Sequence, residues 1–143
     1  MKAAEPPDPG TGEVQTASDG DIVIAQRLGP DQRPTWSDVT SAGIFRVPPA
    51  GRFDQHYHDC DEYWLVFAGR ARVSVGDRPY DVGPGDIVCT PAGTDHDVIG
   101  VQETLQAFWF EGRTPAGGRV GHLHRTPADA EGHSVPPLPD SEK

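Results

Sequence analysis

The chain has 143 residues and carries 22 acidic against 12 basic side chains, a formal net charge of −10. That length suits one domain around one core, and the charge excludes nucleic acid and anionic membrane as partners, since both would be repelled. Only two cysteines occur, Cys60 and Cys89, too few for a secreted disulfide scaffold. No apolar stretch is long enough to span a bilayer, and the first residues lack an apolar signal core, so a soluble, cytoplasmic protein is expected.

Residues 1–20 are rich in Pro, Gly, Asp, Glu and Thr. They hold too few large apolar side chains to offset the entropy of ordering, and a flexible arm is expected there. Asp21 to Ala25 is the first strand candidate, and Gly43 to Val47 the next, stopped by Pro48-Pro49, because proline cannot donate to a ladder. His56-Tyr57-His58 reads as a short strand with both imidazoles on one side, since side chains alternate faces. Two strands follow, Glu62 to Phe67 and Arg70 to Val75, with an Ala68-Gly69 turn between them. Gly76-Asp77 signals a hairpin into Arg78 to Val82. Asp86 to Thr90, Asp97 to Val101 and Thr104 to Phe110 complete the strands, and from Arg125 the chain is Pro-rich and polar. The expected division is an arm over 1–20, one barrel over 21–124 and a flexible tail over 125–143. Eight or more short strands with turns between them imply an all-β jelly roll, which limits exposed edges by wrapping two sheets together.

The chemistry concentrates in His56-Tyr57-His58-Asp59-Cys60-Asp61-Glu62. A chelating pair on a strand precedes a carboxylate at the mouth of the next strand. His96 follows the turn Pro91-Ala92-Gly93 further on. Three neutral imidazoles and one carboxylate form a mononuclear metal site. Imidazole suits Fe, Ni, Cu, Zn and Mn, and the added carboxylate biases the set toward octahedral Fe(II), Mn(II) or Ni(II) with open positions.

These segments resemble the two motifs of the cupin superfamily. The first appears as Gly51, four residues, His56-Tyr57-His58, three residues, Glu62, six residues and Gly69. The second appears as Gly85, five residues, Pro91-Ala92-Gly93, two residues and His96. Two departures stand: the spacer before His56 is one residue short, and Gly100 occupies the position of a terminal Asn. The resemblance implies a double-stranded β-helix, usually dimeric, with a divalent metal held by His56, His58, Glu62 and His96. It leaves the reaction open, because cupins include oxygenases, decarboxylases, isomerases, cyclases and binding proteins.

Around that centre, Trp64 and Val66 share the inward face with Glu62, so Trp64 is a candidate pocket wall. On the last strand, Gln106, Phe108 and Phe110 oppose Leu105, Ala107 and Trp109, and either set can face inward until the register is known. Gln106 and Phe108 are taken as pocket candidates. Arg70 and Arg72 read as an exposed polar face, with an anion-binding role as the rival. Asp95 and Asp97 flank His96 and are candidates to orient it. Cys60 is expected to point outward, and Cys89 to be a small buried residue. His122-Leu123-His124 repeats the chelating spacing without a following carboxylate strand.

The expected function is a metal-dependent enzyme, Fe(II) favoured over Mn, Ni or Zn, acting on a chelating oxygenated small molecule. Oxygenase chemistry leads, with Glu62 also available as a base. An isomerase or cyclase is the first alternative, and a non-catalytic binding cupin, in either case a homodimer, the second.

Overall fold

The computed structural model of the chain describes residues 14–16, 23–51 and 53–128. Its elements are seven strands: β1 (Val14–Thr16), β2 (Val23–Ala25), β3 (Ser41–Val47), β4 (Glu62–Val75), β5 (Arg78–Val82), β6 (Ile87–Thr90) and β7 (His96–Glu111). Among the described residues no helix is long and apolar enough to cross a membrane.

Two long antiparallel strands organise the rest. β4 pairs with β7 from Glu62↔Glu111 to Val75↔His96. On its other edge, β4 holds β6 against its first residues (Glu62↔Thr90 to Leu65↔Ile87) and β5 against its last (Ala71↔Val82 to Val75↔Arg78). β3 covers the far edge of β7, from Ser41↔Glu111 to Val47↔Leu105. The result is the antiparallel jelly roll of a double-stranded β-helix.

The separate short strands expected at Glu62–Phe67 and Arg70–Val75 are one strand, as are those expected at Asp97–Val101 and Thr104–Phe110. Register shifts between Val66 and Val73 explain the difference, because a bulge bends a strand sharply while letting it continue. Gly69 makes the bend possible: its φ is +85°, and a Cβ there would lie 2.0 Å from the Thr104 carbonyl oxygen on β7. The sequence signature of a turn is here a close crossing of two strands.

The period-2 alternation places Phe45 and Val47, Trp64 and Val66, Ala71 and Val73, and Leu105 and Ala107 in one buried cluster with Phe53, Val82, Val88 and Val98. Each large apolar side chain fully withdrawn from water contributes about 1.5–3 kcal/mol. Tyr63 and Phe67, on the opposite face of β4, remain exposed, as the alternation predicts.

β1 and β2 form a small hairpin of their own, Val14↔Ala25 to Thr16↔Val23. β1 thus lies inside the segment expected to be a flexible arm, since the β-branched Val23-Ile24 pair offers it a ladder. The rest of that arm, and the tail beyond residue 128, lie outside the described residues.

Candidate metal centre

Three segments converge to build the site. His56 and His96 face each other in an isolated antiparallel bridge, their backbone groups bonded both ways at 3.1 and 2.8 Å. His58 is fixed through its carbonyl, which accepts from the Gly93 amide at 2.7 Å. Glu62 opens β4 between Thr90 of β6 and Glu111 of β7. The expected His-x-His strand is reduced to two bridges, His56↔His96 and Tyr57↔Leu123, because residues near the turn of the second motif and near the chain's end occupy its edges.

All four side chains are buried, and one donor atom from each lies within 4.8 Å of the others. Each imidazole Nδ1 meets a backbone carbonyl: His56 at Asp54 O (2.7 Å), His58 at Gly121 O (3.0 Å) and His96 at Thr94 O (3.1 Å). A carbonyl only accepts, so Nδ1 carries the proton and Nε2 of the neutral ring presents its lone pair inward. His96 Nε2 lies 2.8 Å from Glu62 Oε1, and His58 Nε2 lies 3.3 Å from Glu62 Oε2. Buried His58 Nε2 makes no hydrogen bond. Lone pairs facing carboxylate oxygens require a cation between them, either a proton or a metal ion. The donor set and its fixed tautomers therefore fit a divalent transition metal.

The electrostatics agree. Burial lowers the pKa of His56 to about 4, which keeps that ring neutral and its lone pair free. Burial alone would lower His58 too, but the Glu62 carboxylate outweighs it and raises the value. Burial would raise Glu62, yet His58 and His96 hold its carboxyl well below the usual range. Trp64 Nε1 donates to Glu62 Oε1 at 2.9 Å and fixes that oxygen.

A second layer lies behind His56. Asp54, 1% exposed, faces His56, His122 and His124, with its carboxylate in contact with His124 Nε2 and 3.4 Å from His122 Nδ1. The His122 ring stacks on His56 at 3.8 Å between centroids. Burial would raise Asp54, but His122, His56 and His124 hold its carboxyl well below the ordinary range. The His122-Leu123-His124 segment, which repeats the chelating spacing, brackets this carboxylate. Asp54, His56 and His122 also lie within 4.8 Å of one another, but His56 Nδ1 is already committed to the Asp54 carbonyl.

The site floors a cavity of about 890 Å³. Trp64 lines it beside Phe45, Phe53 and Trp109. Gln106 and Phe108 do not line it: the register buries Leu105 and Ala107 and turns Trp109 inward, leaving Phe108 against Phe67 on the outer face at 5.4 Å. Cys60 is buried and lines the cavity rather than pointing outward, and burial pushes its thiol up to about 11. Cys89 is exposed rather than buried, because it falls on the outer face of β6 beside Tyr63. Asp95, a candidate to orient His96, instead pairs with Arg125 at 2.7 Å, and the Thr94 carbonyl accepts the hydrogen bond from His96 Nδ1. Arg72 is exposed and pairs with Asp81.

Two functional candidates were absent from the sequence reading, Asp54 and Glu111. Glu111 lines the cavity opposite Glu62, and burial together with the Glu62 carboxylate pushes its carboxyl up to about 7. The inward alternation Leu105, Ala107, Trp109, Glu111 carries its signal; Asp54 has none, since its partners are fixed by the fold.

Residues 43–111 match the family model of the cupin domain, so this part of the chain is a cupin domain. It is 38% identical over 98 residues to the uncharacterized protein y4oW of Sinorhizobium fredii, a match covering 68% of this chain but only 43% of that protein's length. Among solved structures, the DMSP lyase DddQ of Ruegeria pomeroyi superposes with a TM-score of 0.60 at 21% identity, over 81% of this chain and 62% of that one. A Klebsiella pneumoniae protein with a double-stranded β-helix domain gives a TM-score of 0.52 at 17% identity, over 62% and 78% of the two chains. At these identities the structural likeness shows the fold alone.

Proposed function

We propose that the chain is a metal-dependent cupin enzyme in which His56, His58, Glu62 and His96 hold one divalent transition metal beside a cavity that admits a small oxygenated, chelating molecule. The observation that carries this reading is the set of three imidazoles whose Nδ1 protons are committed to carbonyls, leaving three Nε2 lone pairs for a metal, two of them facing the buried Glu62 carboxylate. A metal bound there supplies Lewis acidity, and as Fe(II) a redox couple that supports oxygenase-type chemistry; Mn, Ni and Zn are the other candidates. Trp64 steadies Glu62, Asp54 backs His56, and Phe45, Phe53 and Trp109 exclude water from the pocket.

Glu111 favours a second reading, isomerase or cyclase chemistry. It is a carboxyl outside the ligand set that faces the cavity, placed to move a proton to or from a bound substrate. Metal content and oxygen uptake with chelating substrates separate the two. About one Fe per chain with substrate-dependent O₂ consumption supports the oxygenase, and Mn, Ni or Zn without uptake supports proton transfer. A protein that takes up no metal even after loading overturns both readings and leaves a binding protein.

We place the protein in the cytoplasm, where its two free thiols suit a reducing compartment. A homodimer fits the exposed aromatic Tyr63 and Phe67 on the outer face of β4.

A further inference from the structure

The cavity is cationic in an acidic protein. Among the described residues four arginines line it, Arg27, Arg33, Arg113 and Arg119, the last paired with Asp59 at 3.0 Å, against two acids, Glu62 and Glu111. Two of these guanidiniums converge on a single point: Arg33 Nη1 and Arg113 Nη2 both donate to the Ser37 carbonyl, at 3.5 and 3.3 Å. Like charges gathered on one oxygen repel each other, and an anion between them relieves that repulsion. Arg33 forms no ion pair among the described residues. Arg113 Nε meets Asp38 at 2.6 Å, but both side chains are exposed, and such a pair is weak enough for a ligand to displace. Arg27 lies 5.8 Å over the ring of Trp109, another cavity wall. All four arginines fall outside residues 43–111, the part that matches the cupin domain, whereas the four candidate ligands fall inside it.

We infer that Arg33 and Arg113 form an anion-selecting rim, so that the substrate is a small acid with a carboxylate or phosphate group separate from its chelating end. This rests on the metal-centre reading for the chelating end only. A net charge of −10 repels anions at a distance, so a local cluster is needed to capture one. The planar guanidinium fork matches the oxygens of either anion in pairs, which a lysine cannot do. A cavity of about 890 Å³ accommodates a molecule that reaches from floor to rim.

The test is calorimetric titration of Mn(II)-loaded protein with catechol, its carboxylated analogue protocatechuate and the matching catechol phosphonate, with benzoate and phenylphosphonate as non-chelating probes of the rim. Wild type binds one of the anionic catechols roughly tenfold or more tightly than catechol, and which one wins identifies the anion. Arg33→Ala and, independently in another loop, Arg113→Ala erase that preference while leaving catechol affinity unchanged, and Arg33→Lys restores only part of it. Equal affinity for all three catechols, or a preference that survives both alanine variants, overturns the rim and leaves the metal reading standing. Should the protein take up no Mn(II), the metal reading fails alone: benzoate or phenylphosphonate binding weakened by Arg33→Ala still upholds the rim, and binding insensitive to Arg33 overturns it.

Discussion

Asp54 is a buried carboxylate that meets the back of His56 and gathers two further histidines from the far end of the described chain. Groups that orient a ligating histidine typically change metal affinity by roughly 10–100-fold. Asp54→Asn keeps the shape and removes the charge, so competition with a fluorescent chelator is expected to show a loss in that range. The pH dependence has a defined sign. The folded-state pKa of Asp54 lies below its ordinary value of 3.8, so its contribution to stability is present above that value and is lost as the pH falls through the folded-state pKa. Urea unfolding of metal-free protein should therefore show the largest gap between wild type and Asp54→Asn at neutral pH, narrowing in acid; a pH-independent gap would contradict the charge-based role. The two cysteines separate just as cleanly. Exposed Cys89 should label rapidly with a maleimide at pH 8, while buried Cys60, its thiol pushed up to about 11, should label only on unfolding. Rapid labelling of both would place Cys60 in solvent.

At the scale of elements, the centre depends on β4 and β7 staying paired from end to end, because Glu62 and His96 stand at opposite ends of that pairing. At Gly69 the two strands leave no room for a Cβ, which would lie 2.0 Å from the Thr104 carbonyl oxygen. Gly69→Ala places a methyl group against the Thr104 carbonyl in a left-handed backbone conformation, and an expected cost of about 2–4 kcal/mol should appear in denaturant unfolding. A neutral effect would mean that the bulge rearranges freely.

The same strands show what was legible beforehand. Alternation located Trp64 and Val66 inside and Tyr63 and Phe67 outside, since a period of two needs no partner to be read. Continuity through bulges was not legible, because glycine marks a turn and a bulge alike. The inward face of the last strand required its register against β3 and β4, which is why Gln106 and Phe108 were preferred over Trp109 and why Glu111 was missed. The four candidate ligands were legible from spacing and the family resemblance together. Asp54 was not, because contacts with His122 and His124 exist only once the chain closes on itself.

For the molecule as a whole, the acidic surface and the cationic cavity act in opposite directions, so binding of an anionic ligand is expected to strengthen with modest salt, as screening weakens the long-range repulsion more than contacts inside the cavity. The outer aromatic face gives a second expectation: sedimentation should show a dimer that Phe67→Glu converts to a monomer without loss of bound metal. A wild type that sediments as a monomer would remove the dimer from the account. The central claim is that His56, His58, Glu62 and His96 bind one metal ion. Elemental mass spectrometry of the purified, metal-loaded wild type beside His96→Ala tests it most directly. About one divalent metal per chain in the wild type, lost from a variant whose β-sheet circular dichroism is unchanged, is the predicted result; a His96→Ala protein that keeps its full complement of metal would contradict it.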